Sequence, residues 1–282
     1  MPVLVIVFFI VFAFISAAYA FLIMPRLKYP PDLTFIFCDY AHRGLHSVRK
    51  GQAREATKIP ENSLAAFELA VRANYGIELD VRLTRDKKVV VFHDENLLHM
   101  CGVDKKVSEL TLSELKTLRL AGTDQTIPTF EEVLRLVDGK VPLLVEVKSD
   151  TVKNASLCIR TAKLLDFYSG PFAIQSFNPF VLRWFRYYRP HFARGQLFGK
   201  PPQEAKEVIG KFLRFALSNL LLNFISRPDF ISADKLYINK FTVRILRRLC
   251  RTRIFAWTIL NGREYENCRR KGFCAIFENI RP

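Results

Sequence analysis

The chain has 282 residues, of which 50% are hydrophobic and 25% are charged, and its formal net charge is +16 at pH 7. This length and balance exclude a disordered chain and predict one large globular domain. The positive charge leaves nucleic acid and an anionic lipid surface as partner classes to be weighed.

The first predicted element is an apolar helix at the amino terminus. Residues 3–24 carry no charge, and this length is about enough to cross a bilayer as a helix. Pro25, Pro30 and Pro31 predict the end of the helix and a stiff linker. We therefore divide the chain into a transmembrane anchor (residues 1–24), a linker (25–38) and a folded domain (39–282).

A cleaved signal peptide is the competing interpretation of the first segment, because Ala18-Tyr19-Ala20 resembles a cleavage site. The lack of Lys and Arg in residues 2–7 argues against it. Arg26 and Lys28 follow the span, which favours a cytoplasmic domain. The six cysteines show no tight spacing, so neither a zinc site nor a disulfide framework is predicted, and scattered thiols suit a reducing compartment. The prediction is a single-pass membrane protein whose domain lies on the cytoplasmic side.

Short apolar strands alternate with amphipathic helices through the rest of the chain. The predicted strands are residues 39–43, 76–81, 142–148, 172–177, 193–198, 230–233, 254–259 and 274–278. The predicted helices are residues 60–74, 129–137, 152–165, 179–188, 203–225, 239–250 and 264–271. Eight strands with crossover helices predict an α/β fold, a TIM (β/α)₈ barrel. A further strand at residues 89–92 follows strand 76–81 too closely for a crossover helix, which predicts a distorted barrel.

Two predicted helices carry features beyond barrel packing. The helix over residues 205–225 is amphipathic in its first half and apolar all round in its second half, which predicts contact with a membrane or an oligomer partner. The helix over residues 239–250 has a basic side and an apolar side. The basic side comprises Lys240, Arg244, Arg247, Arg248 and Arg251, and the apolar side comprises Phe241, Ile245 and Leu249. Beside an anchor, this charge favours anionic lipid over nucleic acid.

Strand 76–81 carries two carboxylates on an otherwise apolar run. Glu78 and Asp80 are two positions apart, so they point to one face of the strand about 7 Å from each other along the backbone. Burying both unpaired costs several kcal/mol, and a divalent cation such as Mg²⁺ or Ca²⁺ would remove that cost. The alternative is a strand end at which both acids reach water or pair with Arg82 and Arg85.

Other predicted strand ends add histidines and cations, and the sites of TIM barrels lie at such ends. His42 and Arg43 end the first strand, and His93 ends the extra strand. Glu146 and Lys148 end strand 142–148. Histidine exchanges protons near neutral pH, and a cation held by carboxylates polarises phosphate oxygens. Singly, His42 fits a buried structural histidine and Lys148 a salt bridge to Glu146; together the residues predict acid/base chemistry on a phosphate ester.

The ordered motifs resemble the glycerophosphodiester phosphodiesterase family over about residues 39–282. These motifs are His42-Arg43-Gly44, Pro60-Glu61-Asn62-Ser63, Glu78-Leu79-Asp80-Val81, His93-Asp94, Glu146-Val147-Lys148 and Trp257-Thr258. The resemblance implies a distorted TIM barrel that hydrolyses glycerophosphodiesters to sn-glycerol 3-phosphate and an alcohol, using one divalent cation, Mg²⁺ or Ca²⁺. The short distance in sequence between His93 and Glu146 matches the compact branch of the family.

The resemblance also implies a role for each site residue. His42 and His93 would be the catalytic acid/base pair, and Arg43 and Lys148 would bind the substrate phosphate. The implied metal ligands are Glu78, Asp80 and Glu146. Trp257 is expected to line the substrate pocket, with a packed barrel aromatic as the alternative. Glu61 and Asn62 are expected to order the loop beneath the site.

Two functional alternatives stay open. One is lysophospholipase D-type hydrolysis of membrane lysophospholipids, and the other is a non-catalytic barrel that binds anionic lipid headgroups. The predicted partners are a small glycerophosphodiester or lysophospholipid and a membrane lipid surface. The basic loop over residues 45–59 is predicted to be either solvated or a substrate-recognition element. The ending over residues 277–282 departs from the family pattern, with little expected consequence for catalysis.

Overall fold

The structure is a computed structural model, and it describes residues 2–27, 37–47, 59–148, 155–199 and 210–282. Most of the basic loop 45–59, the start of the predicted helix 152–165 and the first part of helix 203–225 lie outside these ranges. Within them, one helix is long and apolar enough to cross a membrane: α1 (Pro2–Ile23), whose apolar window is 0% buried.

Eight parallel strands close into a barrel. They are β1 (Tyr40–Ala41), β2 (Gly76–Leu83), β4 (Leu143–Val147), β5 (Phe172–Ser176), β6 (Arg194–Phe198), β7 (Phe230–Asp234), β8 (Arg253–Ile259) and β9 (Cys274–Phe277). Each pairs in parallel with its neighbours in chain order, and β1 pairs with both β2 and β9, which closes the ring. The additional strand β3 (Val89–Val91) pairs antiparallel with β2. The predicted distorted TIM barrel, with its irregularity at this hairpin, is confirmed.

The crossover helices connect the strands on the outside of the ring. They are α2 (Leu64–Arg72), α5 (Phe130–Val137), α6 (Ser156–Asp166), α7 (Pro179–Tyr188), α8 (Lys211–Leu217), α9 (Asn223–Ser226), α10 (Phe241–Leu249) and α11 (Gly262–Arg270). Local capping fixes several starts: the side chain of Ser63 accepts from Ala66 N before α2, and that of Asn178 accepts from Phe180 N before α7.

The segment between β3 and α5 forms small helices that the sequence analysis does not predict. They are α3 (Leu98–Cys101), α4 (Leu112–Lys116) and single 3₁₀ turns at Val107–Glu109 and Leu120–Gly122. These elements enclose a separate apolar cluster that includes Met100, Leu115 and Ile127. Their helices are too short to show a clear 3.6-residue period, which explains why the pattern does not reveal them.

The barrel interior is apolar at the N-terminal ends of the strands. Tyr40, Leu144, Phe230 and Phe255 fill it and are fully buried. A Cβ at Gly195 would lie 2.0 Å from the Phe230 ring, so glycine is the residue that leaves room for that ring. This filling leaves the C-terminal ends of the strands for the polar residues.

The structure corrects the prediction of one continuous helix over residues 205–225. In the described part, α8 and α9 are separated by a turn in which Leu220 is buried and has a φ of 57°. A residue in the left-handed region cannot continue an α-helix, so the chain turns and inserts Leu220 into the core. The second half of the segment, which is apolar all round in sequence, therefore packs against the barrel.

The predicted apolar side of α10 is correct at one position and wrong at two. Ile245 packs against the main core, whereas Phe241 and Leu249 are 65% and 78% exposed, and the side chains that α10 buries are Thr242, Val243 and Leu246. Residues 241, 245 and 249 have a spacing of four and form an apolar stripe of their own, so the sequence offers two stripes. Packing against the strands selects the other one and leaves large apolar side chains at both ends of the helix in contact with solvent.

Candidate active site

Three carboxylates lie together at the C-terminal ends of β2 and β4. Asp80 is in register with Glu146 on the neighbouring strand, and Glu78 is two positions earlier on the same face as Asp80. One oxygen from each of the three side chains lies within 4.8 Å of the others, and all three residues are buried. The parallel register therefore brings together the three residues predicted as metal ligands.

The three carboxyls of the cluster differ in the direction in which their pKa values are shifted. Burial, and then the charges of Asp80 and Glu146, raise the pKa of Glu78 well above its ordinary value. Burial also raises the pKa of Glu146. Burial acts in the same direction on Asp80, but Lys148, His93 and Arg43 outweigh it and hold the pKa of Asp80 well below its ordinary value.

Two cations border the cluster. Lys148 Nζ lies 2.7 Å from Glu146 Oε1 and 3.1 Å from Asp80 Oδ1. Arg43 Nε lies 3.5 Å from Asp80 Oδ2, and Arg43 Nη1 lies 2.7 Å from Glu61 Oε1. Although burial lowers their pKa values, the neighbouring carboxylates raise the pKa of both side chains above the ordinary values, so both stay charged.

The donor set fits a divalent cation. Three buried carboxylates face two fixed positive charges, and an anionic phosphodiester bound here would add a further negative charge. Carboxylate oxygens are the ligands that Mg²⁺ and Ca²⁺ prefer. An ion would offset both the burial of Glu78 and its repulsion from Asp80 and Glu146, the two causes that raise its pKa.

A tight turn places Arg43 after β1. Arg43 and Gly44 have φ values of 55° and 83°, both in the left-handed region. A Cβ at Gly44 would also lie 2.8 Å from the Cβ of Ala66, so a side chain there is excluded both by conformation and by space. The turn directs Arg43 N to Glu78 Oε2 at 3.2 Å, which ties the loop to the carboxylate cluster.

His42, which follows β1, is oriented by a carboxylate that follows the neighbouring strand β9. Its Nδ1 lies 2.8 Å from Glu278 Oε2, and its Nε2 lies 4.0 Å from Glu78 Oε2. Burial raises the pKa of Glu278, but the hydrogen bond and charge of His42 outweigh it and lower the pKa to about 2. Glu278 is the site residue that sequence analysis misses, because the ending 277–282 is expected there to have little consequence for catalysis.

His93 has a similar arrangement. Its Nδ1 lies 2.7 Å from Asp94 Oδ1, and Arg82 Nε donates to its backbone carbonyl at 2.9 Å. Burial, then the charge of Lys148, lowers the pKa of His93 to about 4. His99, which has no assigned partner in the sequence analysis, lies 3.4 Å from the second oxygen of Asp94.

Polar neighbours hold the carboxylates in place. Asn62 Nδ2 donates to Asp80 Oδ2 at 2.9 Å, and Gln175 Nε2 donates to Glu78 Oε1 at 3.2 Å. Glu61 pairs with Arg43 and Asn62 with Asp80, while their predicted role in ordering the loop beneath the site stays a prediction. Gln175 lies near the end of the predicted strand 172–177 and is in register with Glu146, so the strand pattern places it at the same end of the barrel as the cluster.

Trp257 lies at the C-terminal end of β8. Its Nε1 donates to Ser232 O at 2.9 Å, and its ring is edge-on to Phe177 at 5.8 Å between centroids. The side chain is half-buried. These contacts are compatible with a packed aromatic and with a pocket wall, so its substrate role stays a prediction.

Fold and site together define a TIM-barrel protein with two carboxylate-paired imidazoles beside a buried acidic cluster. The family model for the glycerophosphoryl diester phosphodiesterase family matches residues 42–279, a range that contains every residue of the candidate site. The chain belongs to the glycerophosphoryl diester phosphodiesterase family.

Known proteins agree with this membership. A glycerophosphodiester phosphodiesterase of Caldanaerobacter subterraneus subsp. tengcongensis is 34% identical over 248 residues, which cover 84% of this chain and 91% of that protein. Human lysophospholipase D GDPD1 is 32% identical over 158 residues, which cover 51% and 47% of the two chains. An Oleispira antarctica phosphodiesterase, solved with its product sn-glycerol-3-phosphate, shares the fold with a TM-score of 0.67 and 24% identity, covering 86% and 92%.

Proposed function

We propose that this phosphodiesterase hydrolyses small glycerophosphodiesters to sn-glycerol 3-phosphate and an alcohol, with His42 and His93 as its acid/base pair. The observation that carries the proposal is the pairing of each Nδ1 with a carboxylate, Glu278 and Asp94 respectively, beside the acidic cluster. A binding module needs no such proton-exchanging pair, and the family is one of enzymes. The alternative of a non-catalytic barrel is therefore not retained.

Glu78, Asp80 and Glu146 would hold one divalent cation, Mg²⁺ or Ca²⁺. When bound, that cation supplies Lewis-acid polarisation of the phosphate oxygens. Arg43 and Lys148 stay charged and border the same cluster, so they would bind the phosphate and stabilise the negative charge that develops on its non-bridging oxygens.

The histidines would move the protons. A carboxylate on Nδ1 fixes the orientation of each ring and directs Nε2 towards the substrate. One imidazole accepts a proton from the attacking oxygen, and the other donates a proton to the leaving alkoxide. The three carboxylates of the acidic cluster are buried, and a low local dielectric strengthens the electrostatic interactions made there.

The test is a turnover assay on the full chain in detergent. Release of glycerol 3-phosphate from glycerophosphocholine and glycerophosphoethanolamine is measured with EDTA, then after addition of Mg²⁺ or Ca²⁺. We expect chelation to abolish release and metal to restore it, and Glu78→Gln to lose on the order of a hundredfold or more. Glu68→Gln, which changes an exposed carboxylate on α2, is the matched control. Full turnover by Glu78→Gln in either metal would show that the metal assignment is wrong.

The second candidate is lysophospholipase D-type hydrolysis of membrane lysophospholipids. It is favoured by the resemblance to a human lysophospholipase D and by the apolar helix α1. Choline release from lysophosphatidylcholine, measured in parallel with the soluble diesters, distinguishes the two. Choline release from the lysolipid alone would show that the substrate is a membrane lipid and not a soluble diester.

We also propose that α1 is an uncleaved membrane anchor. Tyr19, in the segment that resembles a cleavage site, contacts the barrel: its hydroxyl lies 2.8 Å from the hydroxyl of Thr242 on α10. On the other side of that segment, Ile23 is buried in the main core. A chain cleaved after Ala20 would lose the first of these contacts. The predicted cytoplasmic side of the domain stays a proposal.

A further inference from the structure

The end of α1 is attached along one side of the barrel. Tyr19 contacts Thr242 in the first turn of α10, which follows the C-terminal end of β7. Arg26 Nε lies 3.1 Å from Asp229 Oδ1, and Arg26 N donates to Pro228 O. Residues 228 and 229 precede the N-terminal end of β7. The chain from Tyr19 to Arg26 therefore runs from the catalytic rim, where the strands end, towards the opposite rim.

Several contacts hold this stretch in place. Asn223 Nδ2 donates to Ile23 O at 3.0 Å, and Arg227 Nη1 donates to Met24 O at 3.1 Å. The guanidinium of Arg227 also lies 4.9 Å from the centre of the Phe21 ring. The position of α1 relative to the barrel is thus set by hydrogen bonds and packing as well as by chain connectivity.

The rest of α1 extends beyond the catalytic rim. Residues 3–18 lie on the N-terminal side of the first barrel contact, and every one of them is exposed. Because α1 is one continuous helix over Pro2–Ile23, these residues continue in the direction from the N-terminal rim to the catalytic rim. The apolar helix and the opening of the active site thus lie on the same side of the molecule.

The length of this free part is informative. Residues 3–18 span about 24 Å as a helix, which is less than the roughly 30 Å of a bilayer hydrocarbon core. A helix that crosses the bilayer must therefore use its barrel-contacting end as well. This leaves no gap between bilayer and barrel and brings the catalytic rim into contact with the bilayer surface.

The rim beside α1 carries large exposed apolar side chains. Phe212 on α8 is 84% exposed, Leu236 in the loop after β7 is 80% exposed, and Phe241 begins α10. Lys240 Nζ donates to Ser218 O at 3.0 Å, which places the end of α8 against the loop after β7. We call Phe212, Phe215, Leu236 and Phe241 the rim patch.

The charges around the rim patch suit an anionic surface. Lys211, Arg214 and Lys240 lie among its residues in sequence. The nearby acids are engaged: Glu264 pairs with Lys235 at 2.7 Å, and Asp234 Oδ1 accepts from Leu236 N. Apolar side chains flanked by basic ones are typical of surfaces that enter the headgroup region of membranes with anionic lipid.

We propose that the catalytic rim lies against a bilayer containing anionic lipid, with the rim patch in the headgroup region and the active site opening towards the lipid. The inference rests on the proposed anchor role of α1. It implies that a phosphodiester on a membrane lipid reaches Arg43 and Lys148 directly from the bilayer. Headgroup diesters would thus have access to the site without leaving the membrane.

The test is site-specific photocrosslinking of the full chain reconstituted in phosphatidylcholine vesicles containing phosphatidylserine. The photoreactive amino acid p-benzoylphenylalanine replaces Leu236 in one protein and Leu249 in another. The two leucines are matched in type and in exposure, which is 80% for Leu236 and 78% for Leu249. They differ in position, because Leu249 ends α10 at the opposite rim. A third protein carries the label at Phe12 within α1. Lipid adducts are read by mass spectrometry.

We expect adducts at Phe12 and Leu236 and at least tenfold less at Leu249. An adduct at Phe12 with equal yields at Leu236 and Leu249, or with Leu249 alone, would overturn the orientation and leave the anchor intact. No adduct at Phe12 would overturn the anchor and the orientation together. Crosslinking requires no turnover, so neither result depends on the proposed reaction, which the glycerophosphocholine assay measures separately.

Discussion

The pairing of His42 with Glu278 is a contact between residues 236 positions apart in the sequence. An imidazole whose Nδ1 faces a carboxylate is held in one orientation, and its protonated form is stabilised. Glu278 is thus a positioning residue for His42. It also lies 4.0 Å from the buried imidazole of His46, at the start of the basic loop.

Substitution of Glu278 tests this role. We expect Glu278→Gln to lower kcat on the order of tenfold to a hundredfold with little change in KM, because a neutral amide holds the ring without stabilising its charge. The matched control is Glu266→Gln on α11, which changes a carboxylate outside the site. A proportional rise in KM with unchanged kcat would contradict the positioning role.

The same variant has a stability signature. The folded-state pKa of Glu278 is about 2, below its ordinary value of 4.5. A carboxyl with a lowered pKa contributes stability that is present above pH 4.5 and is lost as the pH falls towards 2. We expect wild type to be about 1.5 kcal/mol more stable than Glu278→Gln at pH 7. Denaturant unfolding at pH 7 and pH 3 should show this difference shrinking; an equal difference at both would refute it.

The acidic cluster predicts a metal-dependent stability. Divalent ions should raise the melting temperature of wild type, since an ion at a hundred times its dissociation constant adds about 2.7 kcal/mol. Glu78→Gln should show no such rise, and without metal it should be as stable as wild type or more stable, because it removes a like charge from the cluster. Differential scanning fluorimetry with EDTA, Mg²⁺ or Ca²⁺ checks this, with Glu68→Gln as control. A metal-induced rise in Glu78→Gln equal to that of wild type would contradict it.

At the residue scale, the sequence predicts the groups that lie at the ends of strands. Sequence analysis finds the three carboxylates for two reasons. The two-residue period of a strand puts Glu78 and Asp80 on one face, and the parallel register sets Glu146 beside Asp80. Glu278 is missed because its importance depends on which strand closes the ring beside β1. No local pattern near residue 278 contains that information.

At the element scale, the ion pair of Arg26 with buried Asp229 attaches α1 to the barrel. The Asp229 carboxylate is fully buried, and burial raises its pKa to about 7 although Arg26 acts in the opposite direction. The folded state therefore binds this proton more tightly than the unfolded chain. The buried Asp229 carboxyl therefore destabilises the fold once the pH rises above the ordinary pKa of an aspartate. This destabilisation reaches its full size above about pH 7.

Removal of Arg26 should expose that penalty. We expect Arg26→Met to lose about 3 kcal/mol at pH 8, because it leaves a buried carboxylate unpaired. The loss should be smaller at pH 5, where Asp229 can take up a proton. Thermal unfolding in detergent at the two pH values measures it, and the double variant Arg26→Met/Asp229→Asn should recover most of the loss. Equal losses at pH 5 and pH 8 would exclude this explanation.

Elements with one clear apolar stripe are predicted well, and elements with two such stripes or with apolar residues all round are not. Helix α7 has the predicted bounds because Pro179 and Asn178 mark its start. Helix α10 has two stripes of equal spacing, and only the barrel surface selects between them. The segment that contains α8 and α9 is apolar enough for one long helix, but the core takes up Leu220 and breaks it.

At the scale of the whole molecule, α1 is part of the folded domain as well as a candidate anchor. Ile23 is 2% exposed and belongs to the main core, and Pro25 is also buried. The boundary between anchor and barrel therefore falls near Tyr19 in structural terms, although the sequence suggests one after residue 24.

Truncation separates the two parts. We expect a chain that lacks residues 2–18 to keep the melting temperature of the full chain within a few degrees. A chain that lacks residues 2–30 should melt several degrees lower, since it loses a buried isoleucine and the partner of Asp229. Circular dichroism in the same detergent compares them. Equal melting temperatures would show that the contacts of residues 19–26 do not stabilise the barrel.

The ring closes where β1, only two residues long, pairs with β9. His42 follows one of these strands and Glu278 follows the other, so the distance between them reports on the seam. A local opening there would separate the pair while the other seven strand pairings of the ring stay hydrogen-bonded. Loss of turnover would then precede loss of helical signal during gentle denaturation, and catalysis would report on the opening of this pairing.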